Sequence, residues 1–343
     1  MKAKITLWKI ILSRARHYHL TQKILPQLSP YTKRRQNTLY YSPSLSSGRG
    51  SGGGFWYETP YFVLVIVCLG FLISSCAVVK TDTPAKVALI APFEGRYREI
   101  GYQALYAARL RLMQAHISDK VQLLPIDDGG SVENAVDRAH ALANDPQVIA
   151  VIALGYAATA PETQAAYGDL PVIVAGYWGA YPTTDTIFIR VNPAMPGLLT
   201  VSPRLEISEA AHIDTPLWGG EVFALEQFPQ LRDDLSGITI LSSVQLPDEH
   251  FRTLYRASDP FAPEPNLIAA LAYEASNDIF DRLWRRYRFG RKAEPSELRL
   301  PLLNYYQTSP EYLDGFYIFA PIYMYGYSIE GQLIPIDGVV EQR

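Results

Sequence analysis

Side chains that could run a reaction are few in this chain and poorly spaced for it. Of its histidines, His17, His19, His116, His140, His212 and His250, none makes HExxH, and past the first two there is no HxH or other tight metal-binding spacing. The paired carboxylates Asp127-Asp128, Asp233-Asp234 and Asp248-Glu249 sit beside turn residues or a proline, where they read as strand-end and cap residues rather than as an acid and a base. Cys68 and Cys76 are the only thiols, and both belong to an N-terminal apolar region, so the rest of the chain has no CxxC, disulfide framework or thiol nucleophile. GxSxG, P-loop and GxGxxG motifs are missing. The expected chemistry is therefore binding, with no catalysis, metal or cofactor. Three loops offer the means: Tyr97 in 93–97, Tyr156 and Thr159 in 155–159, and Tyr177, Trp178 and Tyr181 in 176–182. Aromatic rings at a loop cluster suit an apolar or planar solute. The plainer reading of the same residues is packing, with Tyr156 against a sheet edge and Trp178 plugging a gap.

The elements that must position these loops can be read from the hydrophobic pattern. VALIA at 87–91, stopped by Pro92, is a continuous apolar run of the kind a parallel strand buried on both faces requires. Ala104, Leu105, Ala108, Leu112 and Ala115 then recur at helical spacing through 100–116. A second strand over 121–126 closes on Asp127-Asp128-Gly129-Gly130. Ser131 caps a helix reaching about 143, and VIAVIA at 148–153 is a third strand. A short helix over 161–167 and a strand over 170–175 follow. Strands alternating with helices predict an α/β fold with a doubly wound parallel sheet. Ligands of such sheets bind beyond the carboxyl ends of the strands, where the three loops fall. Farther on, the pattern predicts strands near 217 and over 238–243, helices over 222–228 and 267–287, and an aromatic extended stretch at 315–327. A hairpin is expected between 323–329 and 332–336. Arg282, Arg285, Arg286 and Arg288 cluster at the end of the long helix, as a solvated helix end or a docking patch.

The run VALIAPFEGRYREIGYQALYAARLRL at 87–112, with the Asp127-Asp128, Ala135, Arg138-Ala139, Leu142, Asp145 and 148–152 spacing, resembles the first lobe of the type I periplasmic solute-binding proteins. The likeness is to the branched-chain amino-acid and amide receptors of ABC transporters. Pro216-Leu217-Trp218-Gly219-Gly220-Glu221 and, later, Ala269-Ala270-Leu271-Ala272-Tyr273-Glu274-Ala275 match in the same order. The resemblance implies an extracytoplasmic receptor that holds a small solute (an amino acid, an amide or an apolar or aromatic relative) between two lobes and passes it to an ABC permease. It implies that Thr159 stands nearest the hydroxyl groups holding a ligand carboxylate, and that Glu221 matches the acidic residue meeting a ligand ammonium. Tyr156 and Ala157-Ala158 stand where small polar residues are common. About one βαβα unit between 193 and 216 is missing relative to the family, so the second lobe is expected to be shortened. The alternative function is an envelope protein of the same fold, acting as a sensor or as an activator of a partner protein.

The formal net charge of −3 hides a division. Residues 1–75 hold ten basic side chains and one acid, leaving 21 basic and 33 acidic residues from 76 onward. So acidic a body repels a phosphate backbone, which argues against nucleic acid as a partner. The sign changes at the apolar run 61–73 (YFVLVIVCLGFLI), short for a membrane span and fit for a signal-peptide core. Ile73-Ser74-Ser75-Cys76 after it resembles a bacterial lipobox, which implies a lipid on Cys76 and anchoring to the outer face of the cell membrane. An uncleaved signal anchor over 61–79 is the other reading. The expected divisions are a basic tail or start-site artefact at 1–54, a lipoprotein signal at 55–76, a tether at 77–85, a ligand-binding lobe at 86–192, a shortened second lobe at 193–250, and a return segment at 251–343.

Overall fold

A computed structural model of the protein describes residues 83–193, 217–288 and 294–336. The lipobox with Cys76, the apolar run before it, the basic tail and most of the 193–216 stretch lie outside the described residues. Among the described residues no helix is long and apolar enough to cross a membrane.

Runs of small and branched apolar residues build the centre. In β1 (Ala85–Ala91) every residue but Lys86 is buried, and in β3 (Val148–Ala153) all are, as strands covered on both faces must be. β2 (Val121–Asp127) lies at the sheet edge, where Pro125 is tolerated opposite Leu89 because it need not donate to a second neighbour. With β4 (Val172–Val174), β5 (Ile187–Ile189), β8 (Tyr312–Leu313) and β9 (Phe316–Tyr317), these strands form a seven-stranded sheet in the order β2-β1-β3-β4-β5-β9-β8. All its pairings are parallel except β8 with β9. The expected doubly wound α/β lobe is therefore present.

Helices α1 (Arg98–Gln114), α2 (Val132–Asn144) and α3 (Pro161–Ala166) follow β1, β2 and β3 in turn. Ser131 caps α2 as expected, its hydroxyl accepting from the Asn134 N–H at 3.2 Å. Past the second-lobe strands come α4 (Glu249–Ser258), α5 (Leu267–Arg288) and α6 (Ser296–Thr308). Asp248 caps α4 through the Phe251 N–H at 2.7 Å, consistent with reading Asp248-Glu249 as a cap. α5 packs along α1, where the nearly buried Arg111 donates to Asn277 at 2.6 Å and pairs with Asp281.

The second sheet has four strands in the order β11-β10-β7-β6. They are β6 (Leu217–Gly219), β7 (Ile238–Ser242), β10 (Tyr323–Tyr327) and β11 (Leu333–Pro335). β6 and β7 run parallel; β10 runs antiparallel to both β7 and β11. The expected closing hairpin is β10–β11, with Tyr325 opposite Pro335. Two expectations change. The helix over 222–228 is instead two 3-10 turns, Glu221–Ala224 and Phe228–Leu231, because Pro229 supplies no N–H for a continuing helix and Glu221 is drawn inward by its carboxylate. The extended stretch 315–327 is broken: β9 belongs to the first sheet and β10 to the second, with 318–322 crossing between them.

Candidate functional site

Three loops leave the first sheet at the carboxyl ends of its strands: 92–97 after β1, 154–160 after β3 and 175–183 after β4. Side chains from neighbouring elements hold them in place. Asp127, ending β2, accepts the Phe93 N–H at 2.8 Å and fixes the first loop. Asp128 beside it accepts the N–H groups of Gly130, at 2.8 Å, and of Ala158, and its burial lifts its pKa to about 6. The adjacent carboxylates thus act at a strand end. Gln164, fully inside on α3, donates to the carbonyls of Thr159 at 2.8 Å and Tyr181 at 3.1 Å. Its oxygen accepts from the Thr183 N–H at 2.9 Å, so one side chain ties the second loop to the third.

The expected site residues converge on this cluster. The rings of Tyr97 and Tyr156 meet edge to face at 6.4 Å, and those of Tyr156 and Trp178 at 5.9 Å, giving an aromatic row across all three loops. Trp178 is 3% exposed, and its indole N–H donates to the Ala175 carbonyl at 2.7 Å. Thr159 belongs to the cluster but is turned inward: it is 1% exposed, and its hydroxyl donates to the Gly155 carbonyl at 2.7 Å. Glu221 arrives from the second lobe, just past β6, and is fully buried. One of its oxygens accepts the Tyr177 N–H at 2.9 Å and the other the Ser242 hydroxyl at 3.0 Å. Burial raises its pKa, while these bonds and the Ser243 N–H favour its charged form. The carboxylate therefore bridges a first-sheet loop and the second sheet.

Two glycines allow that approach. A Cβ on Gly220 would lie 2.9 Å from the Tyr177 carbonyl oxygen. Gly176 has φ +88°, and a Cβ there would lie 3.3 Å from Glu221 Oε2. Tyr177, at 5% exposure, is packed against this junction.

Open space between the two sheets lies to one side of the junction. A cavity of about 310 Å³ is lined by Arg190, Glu274, Ser243, Gln245, Tyr317 and Tyr323, among others. The Arg190 guanidinium stands 3.3 Å from Asp278 and 3.8 Å from Glu274, over the Tyr317 ring at 4.7 Å. Against the cost of burial, Tyr312 and then those two carboxylates hold its pKa high. Sequence reasoning missed Gln164, Ser242 and Arg190. Lone polar residues in a six-residue helix, at a strand end and after a three-residue strand leave no local pattern to find.

No protein-family model matches the chain, and no curated protein does. Solved structures do match. The isoleucine-bound substrate-binding protein LivJ of a branched-chain amino acid transporter from Streptococcus pneumoniae is 16% identical, with a TM-score of 0.52 over 74% of this chain and 99% of that one. A fatty acid ABC transporter substrate-binding protein from Thermomonospora curvata is 12% identical, with a TM-score of 0.56 over 76% and 93%. A benzoate-bound ABC transporter solute-binding protein from R. palustris is 13% identical, with a TM-score of 0.51 over 74% and 96%. With its doubly wound first sheet, small second sheet and these neighbours, the chain has the fold of the type I periplasmic solute-binding proteins.

Proposed function

We propose that the protein is an extracytoplasmic solute-binding lipoprotein, anchored through Cys76, that binds a small solute between its two lobes and delivers it to an ABC permease. The observation that carries this reading is the meeting of the three strand-end loops in the row Tyr97, Tyr156 and Trp178, with Glu221 beside the second sheet bonded to the third loop through the Tyr177 N–H. Isoleucine and benzoate in the solved neighbours fit an apolar or planar solute, and Arg190 with Glu274 offers a carboxylate and an ammonium opposite charges in one cavity. Trp178 and Glu221 have almost no free surface, so solute entry at the junction requires the second lobe to swing away, breaking the Tyr177–Glu221 bond. Lobe closure on the solute then gives the form that the permease reads.

Thermal unfolding of the full chain with isoleucine, leucine, benzoate and decanoate, each at millimolar concentration, tests the reading. A ligand at about 100 times its Kd adds about 2.7 kcal/mol, visible as a rise of several degrees in Tm. No shift with any of them, together with a stable envelope partner, would transfer the assignment to a second reading. That reading is a partner-protein activator or sensor of the same fold, and the closed network of Glu221, Tyr177 and Ser242 favours it. Metabolic labelling with palmitate, abolished in Cys76→Ala, tests the anchor separately.

A further inference from the structure

A second cavity, sharing no residue with the strand-end loops, opens between the last turns of α5 and the first half of α6, with a volume of about 260 Å³. Its floor is apolar: Leu283, Leu298 and Leu302 line it and are buried, with Pro301 and Tyr305 beside them. Its rim is cationic, carrying the guanidinium groups of Arg282, Arg285 and Arg286. The three are not equivalent. Arg282 pairs with Asp278 at 2.6 Å and Glu311 at 3.8 Å, and lies over the Tyr305 ring at 3.3 Å, so its charge is answered inside the protein. Arg285 and Arg286 form no ion pair among the described residues. The Nε–H of Arg286 is buried and has no hydrogen-bond partner among the described residues. A buried donor left without a partner is costly, and an incoming acceptor would remove that cost.

We propose that this cavity binds an anionic amphiphile, with carboxylate or phosphate oxygens on Arg285 and Arg286 and an alkyl chain along Leu283, Leu298 and Leu302. The combination selects for both properties. An inorganic anion would leave the leucine floor unfilled, and a neutral alkane or alcohol would leave two guanidinium groups unanswered. The surroundings sharpen the choice, because the chain from residue 76 onward carries 33 acidic against 21 basic side chains. A paired basic rim in that field draws anions to one place. The site is independent of the solute reading, and either can fail without the other.

The test is photo-crosslinking of the full chain with a diazirine analogue of dodecanoate, followed by peptide mapping. Labels are expected on 283–305, displaced by unlabelled dodecanoate and at least tenfold less well by dodecanol. In the Arg285→Gln/Arg286→Gln variant, labelling of that segment should fall at least tenfold, while labelling elsewhere in the chain, an internal control, stays the same. Arg285 is exposed, so Arg285→Gln alone keeps the test valid if the double variant misfolds; a several-fold loss is expected. Competition by dihexanoyl phosphatidylglycerol below its micellar concentration would make a lipid headgroup a source of the anion, whereas competition by dodecanoate alone would leave the free carboxylate as the source. The proposal is overturned if 283–305 is not labelled, if the arginine variants label as the native chain does, or if dodecanol competes as well as dodecanoate.

Discussion

Replacing Glu221 with alanine would strand the Tyr177 N–H and the Ser242 hydroxyl in a dry interior, because both donate to that carboxylate. The expected cost is about 2–4 kcal/mol, read as a lower urea midpoint; Glu221→Gln, which keeps an acceptor, should cost less. Glu99, in the first turn of α1, behaves differently. Its oxygens accept the Glu226 N–H at 3.1 and 3.2 Å and the Asn266 amide at 2.6 Å, yet burial, helped by the Glu226 charge, lifts its pKa to about 7. Because the folded pKa lies above the model-compound value of 4.5, the folded state holds the proton more tightly than the unfolded chain does. That stabilisation is full below pH about 4.5 and is lost as pH rises through about 7. Glu99→Gln should therefore be close to neutral at pH about 4.5 and stabilise by on the order of 1–2 kcal/mol at pH about 8. Equal effects at both pH values would refute the assignment. The aromatic loops stand out in the sequence, whereas Glu221 is singled out there only by the family resemblance. Their partners were not legible, since the Tyr177–Glu221 contact spans 44 positions that no local pattern connects.

Among the elements, α6 shows how a single side chain can dock a whole helix. Arg299 reaches the carbonyls of Ala143, Asp145 and Val148, at 3.3, 3.0 and 2.8 Å, where α2 ends and β3 begins. Of these, the Ala143 carbonyl lies in the last turn of α2, where no intrahelical donor is available, while the Asp145 carbonyl also accepts the Val148 N–H. Arg299→Ala should cost about 2 kcal/mol by chemical denaturation, and Arg299→Lys, a point charge without the fork, should recover only part of it. The long apolar strands β1 and β3 and the periodic helices α1 and α5 could be read in advance because burial imposes a period on them. β5 and β8, of three and two residues, could not, since such strands are defined by the neighbour they pair with rather than by their own composition. The helix expected over 222–228 gives way to the turns at Glu221–Ala224 and Phe228–Leu231 for a related reason: five apolar residues in seven fit either form, and Pro229 with the buried Glu221 decided between them.

In the whole molecule the chain passes between sheets more than once: β5 lies in the first, β6 and β7 in the second, β8 and β9 in the first again, and β10 and β11 in the second. Neither sheet is a contiguous stretch of sequence. Thermal or urea unfolding followed by far-UV circular dichroism and by tryptophan fluorescence, which reads Trp178, Trp218 and Trp284 together, should therefore give one coincident transition. Separate midpoints would mean that the sheets unfold independently. The doubly wound sheet and the smallness of the second lobe were legible from alternation and from spacing. The return of β9 and β10 to different sheets was not, because one aromatic run supplies both.

That interleaving also bears on synthesis. Ile189 of β5 pairs on its outer side with Phe316 of β9, made only after both parallel strands of the second sheet. A growing chain must therefore carry an unpaired, wholly apolar strand edge from the synthesis of β5 until that of β9, the kind of edge that recruits other strands. The main sheet therefore cannot close until β9 has been made, and its completion falls near the end of synthesis.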